Sequence, residues 1–336
     1  MENPKVTIIC LIPTRNNASL LFRCLQSASL WADYIIICDQ MSTDGTREIA
    51  LSFPKVKLID NPLEEYNESV RQKLLINEAR KIEGQRLFIA LDADEIFTPN
   101  ILYSSEWKTI LNAKPGTIFK FQWANFGPNS SYMWLGYHFP WGYMDDGYEH
   151  EENKPIHSGR IPIPLTHDII QLNQIKVIHF QFVDWQKMLI KHCYYQCQEV
   201  IFSPKKSAID LYRTYHHMDT LNNSQFIPIP QDWIIEYNKL GIDITSLYLE
   251  SISWFEEQCL ILIEKYGAVF FRKLDIWGIN WKENAKKWNR PNLQIFEDPR
   301  SKIDKQIHKW LAKTQTKLHK RFYRRMDRLI KLIFKY

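Results

Sequence analysis

The 336-residue chain has no apolar stretch of the roughly 18 residues that a membrane-spanning helix needs, which argues against an integral membrane protein. No export leader is expected either. Met1 to Lys5 holds a single Lys and runs directly into the apolar segment Val6–Ile12, without a long h-region or a small-residue cleavage site. Cysteine is scarce and scattered, at Cys10, Cys24, Cys38, Cys193, Cys197 and Cys259. Cys193 and Cys197 fall on one helix face beside His192, but no further ligands follow at metal-site spacing. Reduced thiols in a cytoplasmic protein are the expectation. Internal repeats and low-complexity segments are absent.

Aromatic residues, by contrast, are plentiful: 12 Trp, 16 Tyr and 18 Phe. They serve equally as core filling and as stacking platforms, so composition alone does not choose between the two. Charge is uneven. Residues 301–336 hold twelve Lys/Arg against two Asp/Glu, and the rest of the chain is mildly acidic. A basic tail on an acidic body is expected to meet something anionic.

The first hundred residues alternate between two periodicities. Val6–Ile12, Tyr34–Cys38, Val56–Ile59 and Arg86–Leu91 read as buried strands. Residues 17–31, 44–51 and 65–82 between them read as helices. This βαβ alternation predicts an open, mostly parallel central sheet flanked by helices, with ligands bound beyond the carboxyl ends of the strands. Thr117–Asn125, Ser131–Pro140 and Lys176–Phe182 read as further strands, and residues 141–170 as loops. From Asp184 onward the pattern is mostly helical.

Three polar motifs follow predicted strands. The sharpest is Leu91-Asp92-Ala93-Asp94-Glu95. Asp92 and Asp94 lie two apart, so an extended chain aims both to one side. Carboxylates there suit Mg²⁺ or Mn²⁺, with a nucleotide diphosphate completing the shell. The plain alternative is an acidic first helical turn. The second motif, Cys38-Asp39-Gln40-Met41-Ser42-Thr43-Asp44-Gly45-Thr46, places Asp39 at a strand end and a capping turn after it. The third is Pro13-Thr14-Arg15-Asn16-Asn17.

In this order and spacing the three motifs resemble the inverting family 2 glycosyltransferases of the GT-A fold. The likeness is close over about the first third of the chain and thinner to about residue 200. It implies a GT-A nucleotide-sugar-binding domain. A hexosyltransferase-type enzyme would move a sugar from a nucleotide-sugar donor to an acceptor hydroxyl, with inversion and with a divalent metal, Mn or Mg. It further implies donor contacts from Pro13, Thr14, Arg15, Asp39, Asp44, Arg71 and Asp92. Asp39 would meet the base, and Arg71 would match a nucleotide-binding Arg that precedes the acid motif. Asp92 and Asp94 would hold the metal, and His179, in Val177-Ile178-His179-Phe180, resembles a further metal or diphosphate ligand.

An inverting transferase needs a carboxylate to deprotonate the acceptor. The loop Met144–Glu152 supplies Asp145, Asp146, Glu149 and Glu151 as candidates, though it departs from the family's usual Glu-Asp pair. Implied acceptors are saccharides or lipid-linked saccharides of a bacterial-type cell-surface glycan. One rival is a nucleotidyltransferase, whose phosphate loop would carry glycine where residues 13–17 have none. Another is a non-catalytic nucleotide-sugar-binding protein, against which the intact acids speak.

The expected organisation is a GT-A domain over residues 1–200, a helical accessory region over 201–300, and one basic amphipathic helix over 301–336. In that helix Leu311, Leu318, Phe322, Met326, Leu329 and Ile333 form a stripe among basic residues. It suits the inner, anionic face of a membrane, to which the enzyme would bind peripherally. Packing of the stripe onto the protein itself is the alternative. Nothing resembles a nucleic-acid module, and no nucleic-acid partner is expected.

Overall fold

The computed structural model describes residues 5–151, 154–164, 167–246 and 254–336. The chain divides into two compact units, residues 1–185 with 226–250, and residues 186–225 with 251–336.

The first unit opens with β1 (Thr7–Thr14), α1 (Ala18–Ala28), β2 (Tyr34–Asp39), α2 (Thr46–Leu51), β3 (Val56–Asp60), α3 (Glu68–Ala79) and β4 (Arg86–Ala90). β5 (Glu95–Phe97), α4 (Ser105–Leu111), β6 (Ile118–Phe126), β7 (Met133–Met144) and β8 (Ile169–His179) follow. The eight strands form one sheet in the order β3-β2-β1-β4-β7-β6-β8-β5. β3, β2, β1 and β4 are parallel, β7 is antiparallel to both β4 and β6, β6 and β8 are parallel, and β5 is antiparallel to β8.

The continuous apolar runs have a direct cause. Cys10 and Ile12 of β1, Ile35 and Ile37 of β2, and Leu87 and Ile89 of β4 pack on one face with Leu21, Cys24 and Leu25 of α1. Their neighbours Ile9, Leu11, Ile36, Cys38, Phe88 and Ala90 pack on the other with Leu75, Ile76 and Ala79 of α3. A strand covered on both faces has no polar side to display. Each Ile, Leu or Phe among them contributes about 1.5–3 kcal/mol by leaving water. Strand order reverses between β1 and β4, so their carboxyl ends flank the crevice where such sheets take ligands.

Helices α5 (Trp185–Phe202), α6 (Ala208–Tyr215) and α7 (Gln231–Lys239) come next, and α7 belongs to the first unit. There Tyr237 meets Ser27 of α1 and the carbonyl of Phe97. The accessory region expected over 201–300 is therefore interrupted: residues 226–250 rejoin the first unit, because Tyr237, Ile242 and Ile244 complete its core. Its boundary also falls at 185 rather than 200.

The second unit adds α8 (Trp254–Tyr266), α9 (Trp281–Lys287), α10 (Lys302–Thr314) and α11 (Arg321–Phe334). The single tail helix expected over 301–336 is two helices, separated by a turn of 3₁₀ helix at Gln315–Lys317 and an extended Lys320. The break is stabilised locally. Gln315 donates to the carbonyls of Arg213 and His216, and Arg324 donates to the carbonyls of Leu318 and His319. All six cysteines are free and buried. Among the described residues no helix is long and apolar enough to cross a membrane.

Candidate active site

The end of β1 and the end of β2 are latched to one another. Asn16 N–H donates to Ser42 Oγ at 2.8 Å, Thr43 N–H to Asn16 Oδ1 at 2.8 Å, and Asn17 N–H to Thr46 Oγ1 at 2.9 Å. Asp44 uses one carboxylate oxygen on Ala18 N–H, the first turn of α1, and the other on Thr46 N–H. The capping turn read from the sequence thus caps two helices. Asp44, expected to contact donor, has both carboxylate oxygens engaged with the backbone of the loops that follow β1 and β2.

Thr14 pairs in register with Asp39, Pro13 with Cys38. Asp39 is fully buried; its Oδ2 accepts from Arg47 at 2.8 Å and from Ser42 N–H at 3.1 Å. Its Oδ1 and the Thr14 hydroxyl are buried at this edge with no hydrogen-bond partner among the described residues. Buried polar atoms left so are costly, and they suit a ligand that supplies N–H or O–H groups. Arg15 reaches toward the carbonyl of Glu64. Arg71 stacks over Tyr66 at 4.7 Å beside Glu68, and its charge is felt at Cys38. Burial pushes that thiol up to about 12 and Arg71 holds it back.

At the end of β4 the acid motif does not open a helix. It turns through Asp92 and Asp94 into β5, which pairs Glu95 with His179 of β8. That pairing brings His179 Nε2 to 3.8 Å from Asp94 Oδ2. The imidazole is held by Asn125 Oδ1 at 2.9 Å from its Nδ1 and by stacking on Trp123, with centroids 4.8 Å apart. A ring nitrogen fixed on its far side by a second-sphere partner is a common setting for a metal-ligating His.

Asp92, Asp94 and His179 form an oxygen- and nitrogen-bearing set on one edge. The donor chemistry fits Mg²⁺ or Mn²⁺ provided a diphosphate supplies oxygens, since among the described residues no three such side chains alone are placed to hold an ion.

Glu95 and Arg160 enter this site without a role assigned from the sequence. Glu95 is fully buried and accepts from Trp123 Nε1 at 2.8 Å and from Asp92 N–H at 2.9 Å. Burial raises its carboxyl to about 7; Arg160 opposes that rise, and Asp92 and Asp94 add to it. Arg160 donates to Glu95 Oε2 at 2.5 Å and to Asp92 Oδ2 at 2.5 Å. The third acid of the motif and the one Arg in Ser158-Gly159-Arg160-Ile161 were the only signals available.

The acid loop lies elsewhere. β7 runs antiparallel to β4 and ends opposite its beginning, with Met144 beside Leu87. Asp145 N–H donates to the carbonyl of Arg86, and its buried carboxylate is clamped by Arg80 at 2.9 Å and Arg86 at 2.8 Å. Asp146 binds the Tyr143 hydroxyl and sits 3.3 Å from His167. Both therefore stand roughly 20 Å from Asp92, at about 3.3 Å per residue along β4. The expectation that either is the general base is corrected: the antiparallel strand delivers them to the opposite edge.

From there the chain returns along α3. Tyr148 meets Arg80 at the end of α3, Pro155 and Ser158 meet Glu68 at its start, and Arg160 arrives at Asp92. Glu149 and Glu151 are exposed on this return path.

A mostly parallel sheet with polar loops at its switch point and an acid pair beside β4 is consistent with a GT-A fold. Residues 9–157 match the family model of glycosyl transferase family 2. Among solved structures, glucosyl-3-phosphoglycerate synthase from Mycobacterium tuberculosis, bound to Mn²⁺, uridine diphosphate and glucosyl-3-phosphoglycerate, is 18% identical. It matches with a TM-score of 0.28 over 35% of this chain and 44% of that one. A mycobacterial protein is 17% identical with a TM-score of 0.29, over 37% and 43% of the two chains. HddC from Yersinia pseudotuberculosis is 12% identical with a TM-score of 0.33, over 52% and 93%. The match spans under half the length of the two mycobacterial chains. Comparison with curated proteins gives no match.

Proposed function

We propose that this chain transfers a sugar from a nucleoside-diphosphate sugar to an acceptor hydroxyl, with inversion and with Mg²⁺ or Mn²⁺. The observation that carries the reading is the gathering of Asp39, with its orphaned Oδ1, and the Asp92–Asp94–His179 group on one sheet edge, flanking the switch point. Asp39 and Thr14 accept from or donate to the nucleoside, and Arg71 adds a positive charge beside them. Asp94 and His179, with Asp92, would hold the ion. The ion when bound supplies positive charge against the leaving diphosphate. The chain's own part is to fix these groups in place before the donor arrives, which the Asn125 and Trp123 supports of His179 favour.

Glu149 and Glu151 are what remains of the candidate base set. Glu151 lies further along the return path toward Asp92, so Glu151→Gln is expected to lower turnover by about 10²–10⁴-fold with donor binding kept. The acceptor is proposed to be a saccharide or lipid-linked saccharide of a bacterial-type surface glycan.

The tail supports peripheral binding to an anionic membrane. The stripe divides at the helix break: Leu311 is buried with Ile307 and Tyr212, while Phe322, Leu329 and Ile333 are exposed. α11 packs through the opposite side, where Asp327 binds Arg213 at 3.0 Å and Trp310 at 3.2 Å. Its apolar stripe, bordered by Arg321, Arg325 and Arg328, is thus not used up by internal packing. The reaction itself is tested by incubating the full chain with nucleotide-sugars and Mn²⁺ and following nucleoside diphosphate release. Release with no donor, or release from none that depends on Asp94, contradicts it.

A further inference from the structure

Arg160 makes two unequal contacts. One arm is bound to Glu95, whose side chain is wholly buried and held from behind by Trp123 Nε1. The other reaches Asp92, whose side chain is 28% exposed and stands at the border of the crevice. The guanidinium also lies over the Trp141 ring, 5.4 Å from its centroid, which fixes its plane. The Glu95 arm is an anchor, and the Asp92 arm is the one a ligand can take. Asp92 lies two residues before Asp94, which stands 3.8 Å from His179, and its Oδ2 is already taken by that arm. A divalent ion at the Asp94–His179 pair that also drew on Asp92 would have to compete with Arg160 for its carboxylate.

We infer that Arg160 serves as the counter-ion of Asp92 until a diphosphate arrives, and then transfers that arm to a diphosphate oxygen. This rests on the proposed donor site and adds an order to it. The bare ion is held weakly because Asp92 is already paired. The diphosphate draws the guanidinium away and leaves Asp92 to the ion, so ion and diphosphate enter together. An Arg fork suits the exchange because it meets carboxylate and phosphate oxygens with the same planar donor geometry. Coupling of this kind is reciprocal: each ligand raises the affinity of the other by the same factor.

The full chain, titrated with Mn²⁺ alone and with inorganic pyrophosphate in the presence and absence of Mn²⁺, tests this. Free Mn²⁺ is read by electron paramagnetic resonance and pyrophosphate by calorimetry. Arg160→Gln is expected to bind Mn²⁺ alone about fivefold more tightly, and Mn²⁺-dependent pyrophosphate about tenfold more weakly, the loss of a charge-assisted contact. The opposite signs separate an exchange from simple damage, which weakens both. Where Arg160→Gln does not fold because Glu95 is left buried without a counter-charge, Arg160→Gln with Glu95→Gln removes both charges and must still weaken pyrophosphate. Variants that keep wild-type values, or weaken both ligands alike, overturn the inference. Wild-type protein that binds pyrophosphate equally with and without Mn²⁺ instead overturns the metal reading of the site beneath it.

Discussion

Asp145 and Asp92 stand at opposite ends of β4: Asp145 is hydrogen-bonded to Arg86 at its start, and Asp92 follows its last residue by two. One carboxylate is held between Arg80 and Arg86, and the other pairs with Arg160 at the carboxyl edge of the sheet. Asp145 is buried between Arg80 and Arg86, so removing its charge leaves two guanidinium groups without their shared partner. Asp145→Asn is expected to destabilise the fold by about 2–4 kcal/mol in chemical denaturation. Nucleotide binding by the folded fraction should be unchanged. A stable variant with lost turnover would instead return Asp145 to the catalytic machinery.

Asp39 is expected to matter for the nucleoside. Its Oδ1 is buried and unpartnered while Oδ2 is fully engaged, so a ligand N–H or O–H has one place to go. Asp39→Ala should weaken nucleoside diphosphate binding by about 1–3 kcal/mol in calorimetry, the usual cost of a lost buried hydrogen bond. Binding of inorganic pyrophosphate, which has no base or ribose, should stay within about twofold. Equal losses for both ligands contradict the assignment.

Glu95 sets a pH dependence. Its folded value is about 7 against an ordinary 4.5, raised first by burial. A raised carboxyl favours the folded state when protonated. That contribution is complete below about 4.5 and is lost as pH rises through about 7. The melting temperature of wild type minus that of Glu95→Gln should therefore fall across this window. The corresponding slope is at most about 1.4 kcal/mol per pH unit. Parallel melting curves for the two proteins between pH 4.5 and 7.5 would contradict a buried, titrating Glu95.

The tail should bind vesicles containing anionic lipid and ignore neutral ones. Each basic residue near such a surface contributes about 1 kcal/mol, screened by salt, while the Phe322–Leu329–Ile333 stripe adds a salt-insensitive part. Replacing Phe322 and Leu329 by Ser, positions exposed enough to leave the fold intact, should weaken co-sedimentation at low salt and abolish the part that survives high salt. Wild-type protein that stays in the supernatant with anionic vesicles at low salt rules this out.

The sheet's parallel half was legible because burial on both faces leaves uninterrupted apolar runs at β1, β2 and β4, and because polar motifs follow each one. The positions of Asp39, Asp92 and Asp94 at strand ends were legible for the same reason. Their neighbourhood was not. Arg160 joins Asp92 across 68 residues, by a segment that first goes to the wrong edge and then returns along α3. Local spacing carries no trace of that path. The acid loop was misplaced because the direction of β7 is a matter of long-range pairing, which alternating side chains do not encode. The break between α10 and α11 was hidden likewise: no Gly or Pro marks it, and Gln315 and Arg324 stabilise it through tertiary and capping contacts.

The central claim is a metal-dependent nucleoside diphosphate site built on Asp94, His179 and Asp39. It is tested most directly by a thermal-shift panel of nucleoside diphosphates, with and without Mn²⁺, on wild type and Asp94→Asn. A ligand that binds the native state raises the melting midpoint by mass action, by about 2.7 kcal/mol of added stability at a hundredfold excess over Kd. The account predicts that at least one nucleoside diphosphate raises the wild-type midpoint strongly only when Mn²⁺ is present, and that Asp94→Asn, folded as before, loses most of that increment. Equal shifts with and without Mn²⁺ in both proteins, or no shift with any nucleotide, would contradict it.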